Sequence, residues 1–333
     1  MPCLLLSALS GCYSLQAARG QWALSRASRP ITDVLAAPGS PEKLRGQLRQ
    51  VQAVRAFAID ELGLPDNASY TRYAELRRPF VVWNVVATPE LSLTPQRWCF
   101  PVAGCVSYRG YFRERSGQRF AARQRQRGRD AMVGGVAAYS TLGYFADPVP
   151  DSLLRYGDLA VAETIIHELA HQRLYVAGDS DFNEAFATVV AQQGLQRWLT
   201  SQQRAAELEQ QRREQAAATE FDTLIAAARR DLLAVYGSAD PATAKRQTKQ
   251  ARFTRLGTDL LAVEQRLGVR MVYGDWARQG LNNAHLAAAA TYSHCVPGLL
   301  RLFGEVGGDF VRFYARAGQL AKAGVAARHA AVC

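Results

Sequence analysis

Residues 167–184 of this chain read HELAHQRLYVAGDSDFNE, and no other stretch restricts the fold as much. The preceding LAVAETII and the following LAH keep a helical phase from about residue 158 to 176. Positions four apart share one face of a helix, so His167 and His171 can point their imidazoles at a single metal ion. Glu168 stands one step round the helix, where it can reach a water on that ion and act as a general base for hydrolysis. Zinc held by two imidazoles and a carboxylate keeps a fourth position for that water and brings its pKa toward neutrality. The alternative for the pair is two hydrogen-bonded histidines with no ion.

A third ligand must follow. Gly178 ends the first helix, Asp179-Ser180-Asp181 offers caps for a second one beginning near Phe182, and Glu184 falls in its first turn. Asp181 and Glu184 also have the spacing of a capping box, so by spacing alone Glu184 is either a ligand or the partner of a backbone N–H. His285, His294 and His329 occur singly and read as structural. Glu163 precedes His167 by one helical turn, placed to orient it as a hydrogen-bonded carboxylate. Tyr292 and Tyr139 are candidate donors to an oxyanion. Residues 133–141 read as a strand whose amides could pair with an extended substrate, or as an ordinary core strand. Tyr108, Arg109 and Tyr111 either line a cleft or pack within the strands.

Composition narrows the partners. With 48% hydrophobic and 21% charged residues over 333 positions, the chain reads as globular rather than disordered. Its net charge of +11 is carried by arginine, lysine occurring only at Lys43, Lys245, Lys249 and Lys322. The basic residues scatter, with no zinc finger or RNA-binding signature, so no nucleic-acid partner is expected. The opening MPCLLLSALSGC ends in Leu-Ser-Gly-Cys and reads as a lipobox, with Cys12 as the acylated first residue of the mature chain, although it lacks a positively charged start. No later run is apolar for long enough to span a membrane. Cys99 and Cys105 flank Pro101 and Gly104, which can turn the chain back, so a disulfide-closed loop is feasible in an oxidising compartment.

Along the chain, residues 13–28 read as a helix stopped by Arg29-Pro30, and Ser40-Pro41 opens another that runs to Gly63. FVVWNVVAT, LSLT and WCFPVAGCVSYRGYF read as strands, 113–127 as a polar helix, and 132–145 as a further strand. From 158 onward the chain reads as mostly helical, with a solvated, projecting helix within 203–230.

Two resemblances add to this reading. HELAHQ followed by NEAFATVV resembles the gluzincin metallopeptidases of the aminopeptidase N type. The order of lipobox cysteine, QAARGQ, WCFPVAGCVSYRGYF, AYSTLGYFADPV, HELAHQ, DFNEAFA and LNNAHLAAAATY is similar to that of a predicted aminopeptidase family of bacterial lipoproteins, over most of the chain. The resemblance implies His167, His171 and Glu184 as ligands of one zinc ion per chain, with Glu168 as the base. The Met-Glu-Asn strand motif that holds a free amine in the first family is absent, and GGVAAYSTLG stands in its place. The expected fold is α+β and zincin-like, with a small mixed sheet packed on the HExxH helix and mainly helical additions. Residues 1–12 would be a lipoprotein signal ending at Cys12. Residues 13–333 would form one metallopeptidase domain: helices over 13–78, sheet and zinc-binding helices over 79–200, and a helical part over 201–333. The expected activity is zinc-dependent hydrolysis of peptides, by an aminopeptidase lipid-anchored on the periplasmic side of the bacterial cell envelope. The alternatives are a zinc endopeptidase and a non-catalytic lipoprotein with a structural metal.

Overall fold

The first helix, α1 (Leu4–Ala27), stops where Arg29-Pro30 forbids its continuation, and β1 (Ser28–Pro30) follows. Next come α2 (Ile31–Ala36), α3 (Glu42–Asp60), β2 (Arg72–Ala74) and β3 (Val82–Pro89). The computed structural model describes residues 4–100, 104–138 and 140–333, and among these not the side chains of 4–12, 14, 292 and 293. Ser40 does not cap α3: its hydroxyl donates to the Val34 carbonyl, and Pro41 holds the cap position. Two short strands, β4 (Trp98–Phe100) and β5 (Gly104–Val106), form a hairpin closed by the Cys99–Cys105 disulfide. After β6 (Arg109–Tyr111), α4 (Glu114–Gln126), β7 (Arg129–Val136), β8 (Val149–Pro150) and α5 (Asp151–Leu154) lead to α6 (Asp158–Arg173) and α7 (Ser180–Ser201), which carry the motif.

Two three-stranded sheets replace the single sheet expected. One is mixed, in the order β1-β2-β8, and the other is antiparallel, in the order β6-β3-β7. LSLT forms no strand, because Thr94-Pro95 breaks the run and Pro95 has no N–H to give a ladder. In the antiparallel sheet Val85, Ala87 and Ala131 face Phe120 and Ala121 of α4. Val86 and Met132 face the opposite way, against α11 (Asn283–Ser293). The outer edge of β7 pairs with no strand among the described residues.

The HExxH helix does not lie on this sheet. Val161, Ile165, Ile166 and Leu169 of α6 are buried in one core with Leu48, Val51 and Val54 of α3 and Phe182, Phe186, Val189 and Val190 of α7. Each such side chain stabilises the fold by about 1.5–3 kcal/mol. The other side of α6 carries Glu163, Thr164, His167 and Glu168, which cannot pack dry against a strand, and a cleft separates it from β7.

The region expected to project into solvent is instead a helical hairpin with its own core. Ala217, Phe221, Ile225, Ala228 and Leu232 of α8 (Ala205–Gly237) recur on one face and bury against Phe253, Leu256 and Leu260 of α9 (Ala242–Leu267). After α10 (Val272–Gln279) and α11, the C-terminal helices α12 (Val296–Glu305), α13 (Phe310–Lys322) and α14 (Val325–Val332) close over α7. A second disulfide, Cys295–Cys333, which sequence reading did not pair, ties the last residue back to the start of α12. No described helix is long and apolar enough to cross a membrane.

Candidate metal centre

The local chain between His171 and Glu184 is a clamp. Leu174 turns extended after α6, and Gly178 adopts φ +85°, a conformation that costs other residues a steric penalty. Asn183 then pins the turn in both directions, accepting from the Val176 N–H at 2.8 Å and donating to the Val176 carbonyl at 2.8 Å. The disulfide hairpin docks on the same turn. A Cβ on Gly104 would meet the Gly178 backbone nitrogen at 2.6 Å, and Arg97 donates to the carbonyls of Cys105 and Gly178 at 2.6 Å each. Asp179, rather than Asp181, caps α7 by accepting from the Phe182 N–H at 3.2 Å. Glu184 therefore lies beyond the first turn, out of a capping box, and its carboxylate turns toward the histidines.

The three side chains meet in a triangle. The two imidazole Nε2 atoms stand 3.1 Å apart, and Glu184 Oε2 lies 3.3 Å from that of His167 and 3.6 Å from that of His171. A tetrahedral ion bound at about 2.0–2.1 Å separates its ligand atoms by about 3.3–3.4 Å, so this donor set fits one. Burial alone would raise the pKa of Glu184, but His171 and His167 hold it far below the carboxylate range. Burial would lower that of His167, and Glu184, Glu168 and Glu163 together raise it. The Nδ1 of His171 is buried with no partner among the described residues. A second group, Cys295, Cys333 and His329, offers no ligand set, since its sulfurs form a disulfide and His329 bonds Asp179 at 2.9 Å.

Glu168 faces the same cleft. The Ser140 backbone N–H bonds its carboxylate, whose pKa burial raises against the opposing pull of His167 and His171. Gln172, next after the second histidine, holds the loop that positions Ser140. It donates to the hydroxyls of Ser69 at 3.2 Å and Ser140 at 3.3 Å, and accepts from Asn67 at 2.6 Å. Asp147 anchors the far end of that loop through the Thr141 N–H at 2.8 Å and hydroxyl at 3.0 Å.

The cleft is a cavity of about 710 Å³ containing His167, Glu168, His171, Glu184 and Glu163. A second cavity of about 950 Å³ continues it, the two sharing residues 135–137 at the β7 edge, Asn84, Tyr108, Ala160 and Thr164. Of the residues read from sequence, Glu163 lines the first cavity but makes no hydrogen bond to His167. Tyr139 lies outside the described residues, as does the side chain of Tyr292, whose backbone belongs to α11. Cys12 falls within α1, its side chain also undescribed. Arg109 stacks over Tyr13 at 4.1 Å and Phe120 at 5.0 Å, and Tyr111 is buried in the same cluster, so both are packing residues. Tyr108 is different. It lines both cavities, and burial, followed by the charges of Glu184, Tyr175 and Glu168, keeps its phenol protonated far above neutrality. Sequence reading passed over Tyr175, which enters the cleft from the turn after α6 with its ring 6.5 Å from that of His171. Its only local signal is a place four residues beyond the second histidine.

No curated protein and no solved structure matches this chain significantly. A family model described as Putative aminopeptidase matches residues 12–332, which take in both motif helices and every wall of the cleft, and the chain belongs to that family of peptidases.

Proposed function

We propose that the protein is a metal-dependent aminopeptidase, and the observation that carries this reading is the convergence of His167, His171 and Glu184 beside Glu168 in one cleft. The three would hold one divalent ion, for which zinc suits the donor set. When bound, that ion supplies Lewis acidity toward a peptide carbonyl and toward water. Glu168, steadied by the Ser140 N–H, takes the proton of the attacking water and passes it to the leaving amine. Tyr108, a neutral phenol opposite Glu168 and Glu184, donates to the oxygen on which negative charge develops. The outer edge of β7 offers its backbone to an extended peptide.

Attachment to the bacterial cell envelope through Cys12, on the periplasmic side, is part of the same proposal. The Leu-Ser-Gly-Cys sequence supports it, and the disulfides Cys99–Cys105 and Cys295–Cys333 suit an oxidising compartment. A second reading, endopeptidase, draws support from the continuation of the cleft into the second cavity, which gives room for several residues on one side of the scissile bond.

Glu168→Gln tests the reading. The variant should keep its metal by elemental analysis and its stability while losing about 10²–10⁴-fold in turnover. Undiminished hydrolysis would remove Glu168 from the chemistry. A metal-loaded wild type that cleaves nothing in a peptide library would favour a structural ion.

A further inference from the structure

We infer that Glu163 receives the free α-ammonium of the substrate, making it the residue that selects peptides by their amino terminus. The inference rests on the peptidase reading above and adds to it the group that recognises the substrate's end.

Charge is the first observation. The chain carries 40 Lys and Arg against 29 Asp and Glu, yet the cavity around the triad is lined by Glu163, Glu168 and Glu184 with no lysine or arginine among its described walls. Each of the other two carboxylates has partners: Glu184 the two histidines, Glu168 the Ser140 N–H. Several shielded carboxylates elsewhere are matched with cations, as in Asp179–Arg328, Asp130–Lys249 and Glu264–Arg278, each at 2.7 Å, while Asp147 is held by the Thr141 N–H and hydroxyl. Glu163 has no hydrogen-bond or ion-pair partner among the described residues. Burial raises its pKa, and the charges it senses are those of His167 and Glu214. Glu163 is partly buried and faces the cleft with no cation beside it among the described residues, so the site is complementary to a positive ligand. A divalent ion would balance Glu184 and Glu168, leaving the single charge of Glu163 for a single ammonium.

Distance is the second. Glu163 lies four residues before His167 on the same face of α6, about 6 Å along the axis. In a peptide the amino nitrogen of a residue lies about 2.5 Å from its own carbonyl carbon, and a charge-assisted hydrogen bond adds about 2.8 Å. A first peptide bond presented beside the triad thus puts its α-ammonium within reach of Glu163, and an internal residue brings a neutral amide to the same place. Thr164 and Thr188, which line the cavity alongside, add hydroxyls able to accept the remaining protons of an ammonium. This also accounts for the missing Met-Glu-Asn strand: the carboxylate for the amine comes from the metal helix itself.

The test uses zinc-loaded full-length protein and two peptides that differ only in N-terminal acetylation. The wild type should prefer the free peptide. Glu163→Gln should lower kcat/KM for it on the order of 30-fold, mostly through KM, and lower it far less for the acetylated peptide, so that the preference collapses. A binding arm repeats the comparison by calorimetry in a Glu168→Gln background, where the same preference should appear and vanish with Glu163→Gln. Thermal melts and metal content guard against misfolding. Equal losses for both peptides, or loss of metal, would make Glu163 a positioning residue for His167 and overturn the inference. If the wild type cleaves neither peptide, the peptidase reading falls, and an unaltered binding preference in Glu163→Gln then overturns the amine site separately.

Discussion

Arg328 and Asp179 form an ion pair in which both side chains are only 2% exposed, with Nη2 and Nε each 2.7 Å from Oδ2. The third nitrogen donates to the carbonyls of Ala323 at 2.8 Å and Ala321 at 3.2 Å, and the guanidinium stacks on Phe182 at 5.3 Å. Because Asp179 caps α7, this pair ties the C-terminal helices to the first turn of the helix that carries Glu184. Burial would raise the pKa of Asp179, but His329 and Arg328 bring it below the ordinary value, so the cap stays ionised.

Removing the cation leaves that carboxylate buried and unpaired. Arg328→Met should therefore cost about 3–5 kcal/mol in denaturant unfolding. Arg328→Lys should recover only part of it, since an ammonium cannot span the carboxylate and the α13 carbonyls as a planar fork does. A loss below about 1 kcal/mol would mean that α7 keeps its start without the pair.

Metal binding should be readable in stability without any assay of activity. Added zinc at a hundred times its dissociation constant should stabilise the wild type by about 2.7 kcal/mol, and Glu184→Ala should erase most of that gain. An equal gain in the variant would leave the two histidines as the whole site.

His285 sets an acid limit to the fold. It is buried on α11, its Nδ1 accepts from the Asn282 N–H at 3.1 Å, and its ring lies 5.3 Å from Trp276. Burial lowers its pKa to about 4, opposed by the Asn282 backbone bond and aided by Arg125. The unfolded chain, with its histidine at the ordinary value of 6.5, thus takes up the proton first as pH falls. The stability involved is fully present above about pH 6.5, and roughly 3 kcal/mol is lost on the way down to about pH 4. His285→Gln should flatten this part of the profile in urea titrations across that range, and an unchanged slope would assign the acid sensitivity to other groups.

Local signals carried far where the governing interaction is local. The spacing in HELAHQ predicts the phase of α6, and the short connection to Glu184 predicts a tight turn, because helical period and glycine conformations are settled within a few residues. Reading by composition misled where a long-range partner intervened. The charged character of 203–230 suggested a solvated helix, while the apolar face of α8 waited for α9 and α11. Tyr108, which the sequence left open between cleft and packing, and Tyr175, marked only by its spacing from the second histidine, could not be placed locally, since lining a cleft depends on where the opposite wall falls.

The sequence by itself determined which side chains could form a metal triad, that Glu168 would stand among them, and that two cysteines six apart could close a hairpin, all through spacing along the backbone. Tertiary structure alone decided the rest: that Glu184 turns to the histidines instead of a backbone N–H, that α6 packs on helices and faces β7 across a cleft, and that Glu163 has no cation among the described residues. The physical reason is that burial and charge pairing are properties of neighbours brought together from distant parts of the chain, as Arg328 is to Asp179, and no period within a segment records them.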